Sequence, residues 1–117
     1  MAKTGAGRKL NRKGGFRTSL LRGLVTELIR HEQIKTTEAK AKECSRLANH
    51  LISVAKKDDL IARRTVAKDI HDTEVFDKIF TTLVPRYSSR PGAFTRIFKL
   101  TPRQGDNAEM ALVKLIA

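Results

Sequence analysis

The segment before Phe16 carries five basic residues, Lys3, Arg8, Lys9, Arg12 and Lys13, among four glycines and few apolar side chains. Such a stretch cannot bury enough surface to offset the entropy of ordering its backbone, so alone it should not fold. Attached to a folded body it reads as an arm (residues 1–15) that orders on a polyanion, with residues 16–117 as one domain. Charge along the chain supports this. Residues 1–30 hold eight Lys/Arg against Glu27 alone, and 86–117 hold six against Asp106 and Glu109. The stretch between them is close to balanced, with ten basic and nine acidic residues in 31–85. Merely solvated surface would spread an excess of +12 more evenly. Nucleic acid is the partner class this distribution favours.

A chain of 117 residues supports one core. The single cysteine, Cys44, excludes an internal disulfide, and its spacing from Ala41, Ala48 and Leu51 reads as a small buried residue. No apolar run reaches the roughly 18 residues of a membrane span. No apolar block of a signal peptide follows Met1, so the cytoplasm is the expected compartment.

Phe16, Leu20, Leu24 and Leu28 recur every four residues, with Leu21, Val25 and Ile29 beside them. This predicts a helix over about 16–32 with one apolar stripe and an edge of Arg17, Arg22, Thr26 and Arg30. Gly23 is out of place in it. It reads as tolerance, tight helix packing, or close approach of a nucleic-acid backbone. Residues 33–37 form a β-branched strand segment, and Thr36 or Thr37 can cap a second helix reaching Lys57, with Ala41, Cys44, Ala48, Leu51, Ile52 and Ala55 inward. Asp58 or Asp59 caps a third helix over about 60–70. A fourth spans about 73–84 with Val75, Phe76, Ile79, Phe80, Leu83 and Val84 on one face, and Pro85 is expected to stop it. Two strands follow, 94–101 and 110–116, as a long-looped hairpin that needs helices on one face and the 34–36 segment at one edge. The fold class is α+β, a two-layer helix/sheet domain in the order α-β-α-α-α-β-β.

Catalytic signatures are weak. His31, His50 and His71 lack helical zinc spacing, and one cysteine cannot complete a Cys/His set. Asp69, His71 and Asp72 cluster, as a nuclease might require, but they fall where one helix ends and the next is capped. Gly5-Ala-Gly7 lacks the third glycine of a dinucleotide loop. No metal, cofactor or small-molecule substrate is implied, and the chain reads as a non-enzyme.

The basic constellations say more. Arg8, Lys9, Arg12, Lys13 and Arg17 suit threading along phosphates, with Arg22 continuing on the helix. Arg86, Tyr87, Arg90, Arg96, Lys99 and Arg103 interleave guanidinium and ammonium groups with rings at Tyr87, Phe94 and Phe98. Arginine forks grip phosphate, and a Tyr ring can stack on a splayed base. Phe94 and Phe98 read as core, whereas Tyr87 is open between core and ligand. Neither a groove-reading helix motif nor an RNP aromatic signature is visible, so recognition of folded RNA by shape fits best.

The residues Gly7-Arg-Lys-Leu-Asn-Arg12, Leu20-Leu-Arg22, Leu28-Ile-Arg-His-Glu32, Ile34-Lys-Thr-Thr37, Pro85-Arg-Tyr-Ser-Ser-Arg90, Thr95-Arg-Ile97 and Arg103-Gln-Gly-Asp-Asn-Ala108 resemble, in order and spacing, the L-seventeen family of bacterial large-subunit ribosomal proteins. The resemblance implies the α+β order above and 23S ribosomal RNA as ligand. It also implies a place in the large ribosomal subunit near the nascent-chain exit, with neighbouring ribosomal proteins as partners. A free-standing architectural protein coating nucleic acid is the alternative. The chain departs from the family pattern in several places. Ala2-Lys3-Thr4 replaces the usual opening, Phe16 stands for a His and Gly23 for an Asn. Ala93-Phe94 replaces Gly-Tyr, and Lys114 stands where an acid is common.

Overall fold

The computed structural model describes residues 14–116. Helix α1 spans Gly14–His31, strand β1 Gln33–Thr37, α2 Glu38–Ala55 and α3 Leu60–Asp69. Helix α4 begins as Thr73–Lys78, passes through one π turn at Ile79–Leu83 and closes with the α turn Val84–Arg86. Strands β2 (Thr95–Lys99) and β3 (Met110–Leu115) complete an antiparallel sheet in the order β1-β3-β2. The expected α+β order is therefore present, with the 33–37 segment at one edge of the sheet.

Local chemistry sets most boundaries. Asp59, not Asp58, caps α3, its carboxylate accepting from the Ala62 N–H at 2.7 Å. Asp72 caps α4, accepting from the N–H groups of Glu74 at 2.9 Å and Val75 at 3.3 Å. Those backbone donors, Val75 first, hold the Asp72 carboxyl below its ordinary range, with Arg30 adding to the effect. Thr37 occupies the N-cap of α2 without a capping side-chain bond. The Glu38 N–H instead donates to the Glu109 carbonyl at 2.9 Å, tying α2 to the start of β3.

Pro85 does not end α4. The Val84 N–H reaches back to the Ile79 carbonyl across the π turn, so Pro85 falls in the first turn of the closing segment. A missing N–H is tolerated there. Ordinary helical bonding resumes with the Tyr87 N–H on Leu83 O at 3.0 Å.

Helix α2 crosses one face of the sheet, and α1 and the α4 unit pack beside it. Val25, Leu28, Ile29, Cys44, Leu51, Ile52, Ile79, Leu83, Val113 and Leu115 fill the core between them. Every residue predicted to face inward on α2 is buried, and Glu43 joins them at 6% exposure, with Arg46 Nη1 3.9 Å from its carboxylate. Burial pushes the Cys44 thiol up to about 12, which fits packing and not reactivity. Phe16 departs from the predicted stripe. It is 70% exposed, because the helix layer covers α1 only from Leu20 onward, where Val25, Leu28 and Ile29 are sealed. No helix among the described residues is long and apolar enough to cross a membrane.

Ala93 sits in the left-handed region at φ 57°. For a residue with a Cβ that conformation costs roughly 1–2 kcal/mol, partly offset by the smaller entropy loss alanine suffers on folding. Ala93→Gly is therefore expected to raise stability by about 0.5–1 kcal/mol, read as a higher urea midpoint at unchanged slope. A lowered midpoint would contradict the assignment of strain.

Candidate nucleic-acid interface

The charged residues singled out in the sequence divide into three groups. Arg8, Lys9, Arg12 and Lys13 lie outside the described residues. A second group is held in ion pairs within the fold. A third projects from the sheet.

Arg22 and Arg30 emerge from one side of α1 toward the α3–α4 connection. Arg22 Nε donates to Asp69 at 2.8 Å, while Arg30 pairs with Asp72 and with Glu27 at 2.5 Å. The acids weighed as a catalytic cluster are thus occupied by arginines and by the α4 cap, with His71 exposed beside them. Among the described residues no group of His, Cys, Asp or Glu is arranged to hold a metal. Arg22, Glu27, Asp69, His71 and Asp72, with Ser19, Gly23 and Thr26, line an open concavity. A Cβ at Gly23 would meet nothing within 4 Å, so tight helix packing does not explain this glycine.

Arg86 is an internal brace. It donates bidentately to Glu32, at 2.7 and 3.3 Å, and Lys78 Nζ lies 3.2 Å from the same carboxylate. The pair raises the guanidinium above its usual range and, chiefly through the Arg86 bonds, lowers the Glu32 carboxyl to about 2. Glu32 itself terminates α1 at φ 65°, and its carbonyl accepts from the Leu115 N–H at 2.9 Å. Helix, π-turn unit and sheet meet at this residue.

This cluster makes stability depend on acidity. A carboxyl depressed in the folded state contributes stability that is complete above its unfolded pKa, near 4.5, and disappears as pH falls toward about 2. Because the side chain is 37% exposed, solvent screening reduces the contribution, to about 1 kcal/mol. Glu32→Gln should remove that amount at neutral pH and flatten the stability profile between pH 4.5 and 2. Denaturant titrations of both proteins across that window test this, and parallel profiles would refute it.

Tyr87 corrects the sequence reading. It is 2% exposed, its hydroxyl donates to the Ile116 carbonyl and its ring centroid lies 5.1 Å from that of Phe94. A ring so enclosed cannot stack on a base. Phe94, just before β2, is buried as expected, but Phe98 lies with Arg96 on the outer face of β2 and is 43% exposed. Lys56 Nζ lies 5.3 Å from the Phe94 ring centroid and donates to the Arg90 carbonyl, which fixes the turn carrying Arg90. Arg103 grips Asp106 at 3.1 and 2.6 Å inside the β2–β3 loop, and that grip, with the Ala108 N–H, lowers the Asp106 carboxyl to about 2. Lys99 is the most open, its side chain 78% exposed and 3.8 Å from Glu38. Arg96 projects from the outer face of the sheet. Arg17 lies half-buried on α1.

A cationic surface with its acids engaged and no catalytic constellation is the form of a binding protein. The family model for Ribosomal protein L17 matches residues 20–116. The chain belongs to that family. Proteins named Large ribosomal subunit protein bL17 are similar to it along most of their length. The one from Desulfitobacterium hafniense is 46% identical over 93% of this chain and 97% of its own. The Halothermothrix orenii protein is 47% identical over 93% and 96%. That of Caldanaerobacter subterraneus is 47% identical over 93% and 97%. As an L17 chain it is a ribosomal structural protein and not an enzyme.

Sequence reasoning overlooked Lys35 and Phe98 as surface groups. Strand parity was the one local signal, and it does not say which face is covered. Lys35 alternates with Ile34 and Thr36 in β1, and Phe98 has the same parity in β2 as Arg96.

Proposed function

We propose that this chain is a structural constituent of the large ribosomal subunit that binds 23S ribosomal RNA, near the nascent-chain exit and beside other large-subunit proteins. Arg8, Lys9, Arg12, Lys13 and Arg17, with Arg22 at the helix edge, would neutralise phosphates on one surface. Arg90, Arg96, Lys99 and Arg103 would serve a second. Arg86 acts as the brace that orients the second surface, and Tyr87 belongs to the core. The observation that carries this reading is the full-length likeness to large-subunit proteins, joined to a basic excess confined to both ends of the chain.

The test is sedimentation of the tagged protein from cells. It should travel with large subunits and whole ribosomes, and crosslinking should join it to 23S RNA. Migration with bulk DNA would favour the architectural alternative. Material found only at the top of the gradient would refute the proposal.

A further inference from the structure

Among the described residues, the sheet has one face under α2 and one face open. Register places Gln33, Lys114 and Arg96 in a row across the outer face, and Lys35, Leu112 and Phe98 in the next. Lys35, Lys114 and Arg96 are exposed and, among the described residues, make no ion pair. None of the three strands contains an acidic residue. Arg96 and Lys114 stand directly opposite each other on neighbouring strands, a like-charge pairing that weakens a sheet unless an anion joins it. An open groove runs past them, lined by Arg96, Phe98, Lys114, Leu115 and Ile116. Phe98 is one of its walls and is 43% exposed.

We infer that this outer sheet face is a docking site for an unpaired stretch of RNA, with a base stacked on Phe98 and the adjoining phosphates held by Arg96, Lys114 and Lys35. Charge decides the occupant. A second copy of this chain would bring the same cations against each other, whereas a polynucleotide supplies both the missing anions and a flat ring. Unstacked bases are held elsewhere by the same combination of an aromatic platform and a positive groove. The inference rests on the RNA-binding reading above and adds a site to it. This site takes single-stranded RNA and, among the described residues, is built on the sheet strands.

The full chain is titrated with a labelled oligouridylate of about twelve nucleotides, within the usual span of such sites, and with a duplex RNA of equal length. Phe98→Ala should weaken oligouridylate binding roughly tenfold or more, leaving duplex binding and the salt dependence unchanged. Phe98→Tyr should bind like the parent and Phe98→Leu like the alanine variant. Arg96→Gln and Lys114→Gln should each reduce the log–log salt slope by about 0.7. Oligouridylate binding by Phe98→Ala equal to the parent overturns the inference, as does full retention by Phe98→Leu, which would mark an apolar contact without stacking. Deleting residues 5–13 separates the two claims. If that deletion abolishes 23S RNA affinity while Phe98→Ala changes nothing, the ribosomal reading stands and this site falls.

Discussion

Phe94→Ala is expected to remove about 3–5 kcal/mol of stability, the largest loss any single substitution should produce in this fold. The ring is fully buried where three elements converge. Tyr87, from the end of the α4 unit, packs on it at 5.1 Å, and the Lys56 ammonium covers its other side. Its own N–H donates to Asn49 of α2 at 3.0 Å. Truncation leaves a cavity that the neighbouring backbone, pinned by the Asn49 bond and by the Tyr87 hydroxyl on Ile116, cannot collapse to fill. Against a typical net stability of about 5–15 kcal/mol, a loss of that size takes a fifth or more of the margin. Phe98→Ala provides the internal control. Four residues along the same chain segment but on the open face, it should cost under about 1 kcal/mol. Urea unfolding of the two variants settles the comparison, and equal midpoint shifts would show that the contrast between a buried Phe94 and an exposed Phe98 is wrong.

The same pair shows what a sequence does and does not disclose. Helix and strand positions followed from periodicity. The four-residue recurrence in α1, the inward set Ala41 to Ala55 on α2 and the turn chemistry at Asp59 and Asp72 are local signals, and each was legible. Face assignment was not. The alternation in β2 and β3 is imperfect, and Phe94 and Phe98 share strand parity, so they looked alike. Phe94 lies before the strand, beside the left-handed Ala93 and held to Asn49, and is buried there. The continuation of α4 past Pro85 was equally hidden, because a π turn is selected by what the helix end must reach. Here that is Glu32 for Arg86 and the Phe94 site for Tyr87. The ion-pair partners of the arginines were hidden for a related reason. Glu32 lies 54 positions from Arg86 and Asp69 lies 47 from Arg22, and pairings that remote leave no mark on the local pattern. A guanidinium read as a phosphate fork has in those cases an intramolecular partner as well.

Deleting residues 5–13 should weaken 23S RNA binding by about three orders of magnitude at 0.1 M salt while leaving the helical circular-dichroism signal intact. The deletion removes Arg8, Lys9, Arg12 and Lys13. Each cation that displaces a counterion contributes about 0.7–0.9 to the log–log salt slope, so losing four lowers the slope by roughly 3. Extrapolated from 1 M, where this contribution vanishes, to 0.1 M, that slope change is a loss of about a thousandfold. The parent protein, neutralising about six phosphates, should show a slope near −4 to −5. Partitioning among the described residues gives the prediction its force. Arg22, Arg30, Arg86 and Arg103 are already engaged by Asp69, Asp72, Glu32 and Asp106, and each would have to give up or share a partner to grip phosphate. The N-terminal segment contains no acidic residue at all before Glu27, so no competition of that kind arises within it. Substituting the four by glutamine in the full chain should reproduce the deletion, since charge and not length is the cause. A deletion that weakens binding while the glutamine variant does not would shift the role from phosphate neutralisation to backbone contact by the glycines.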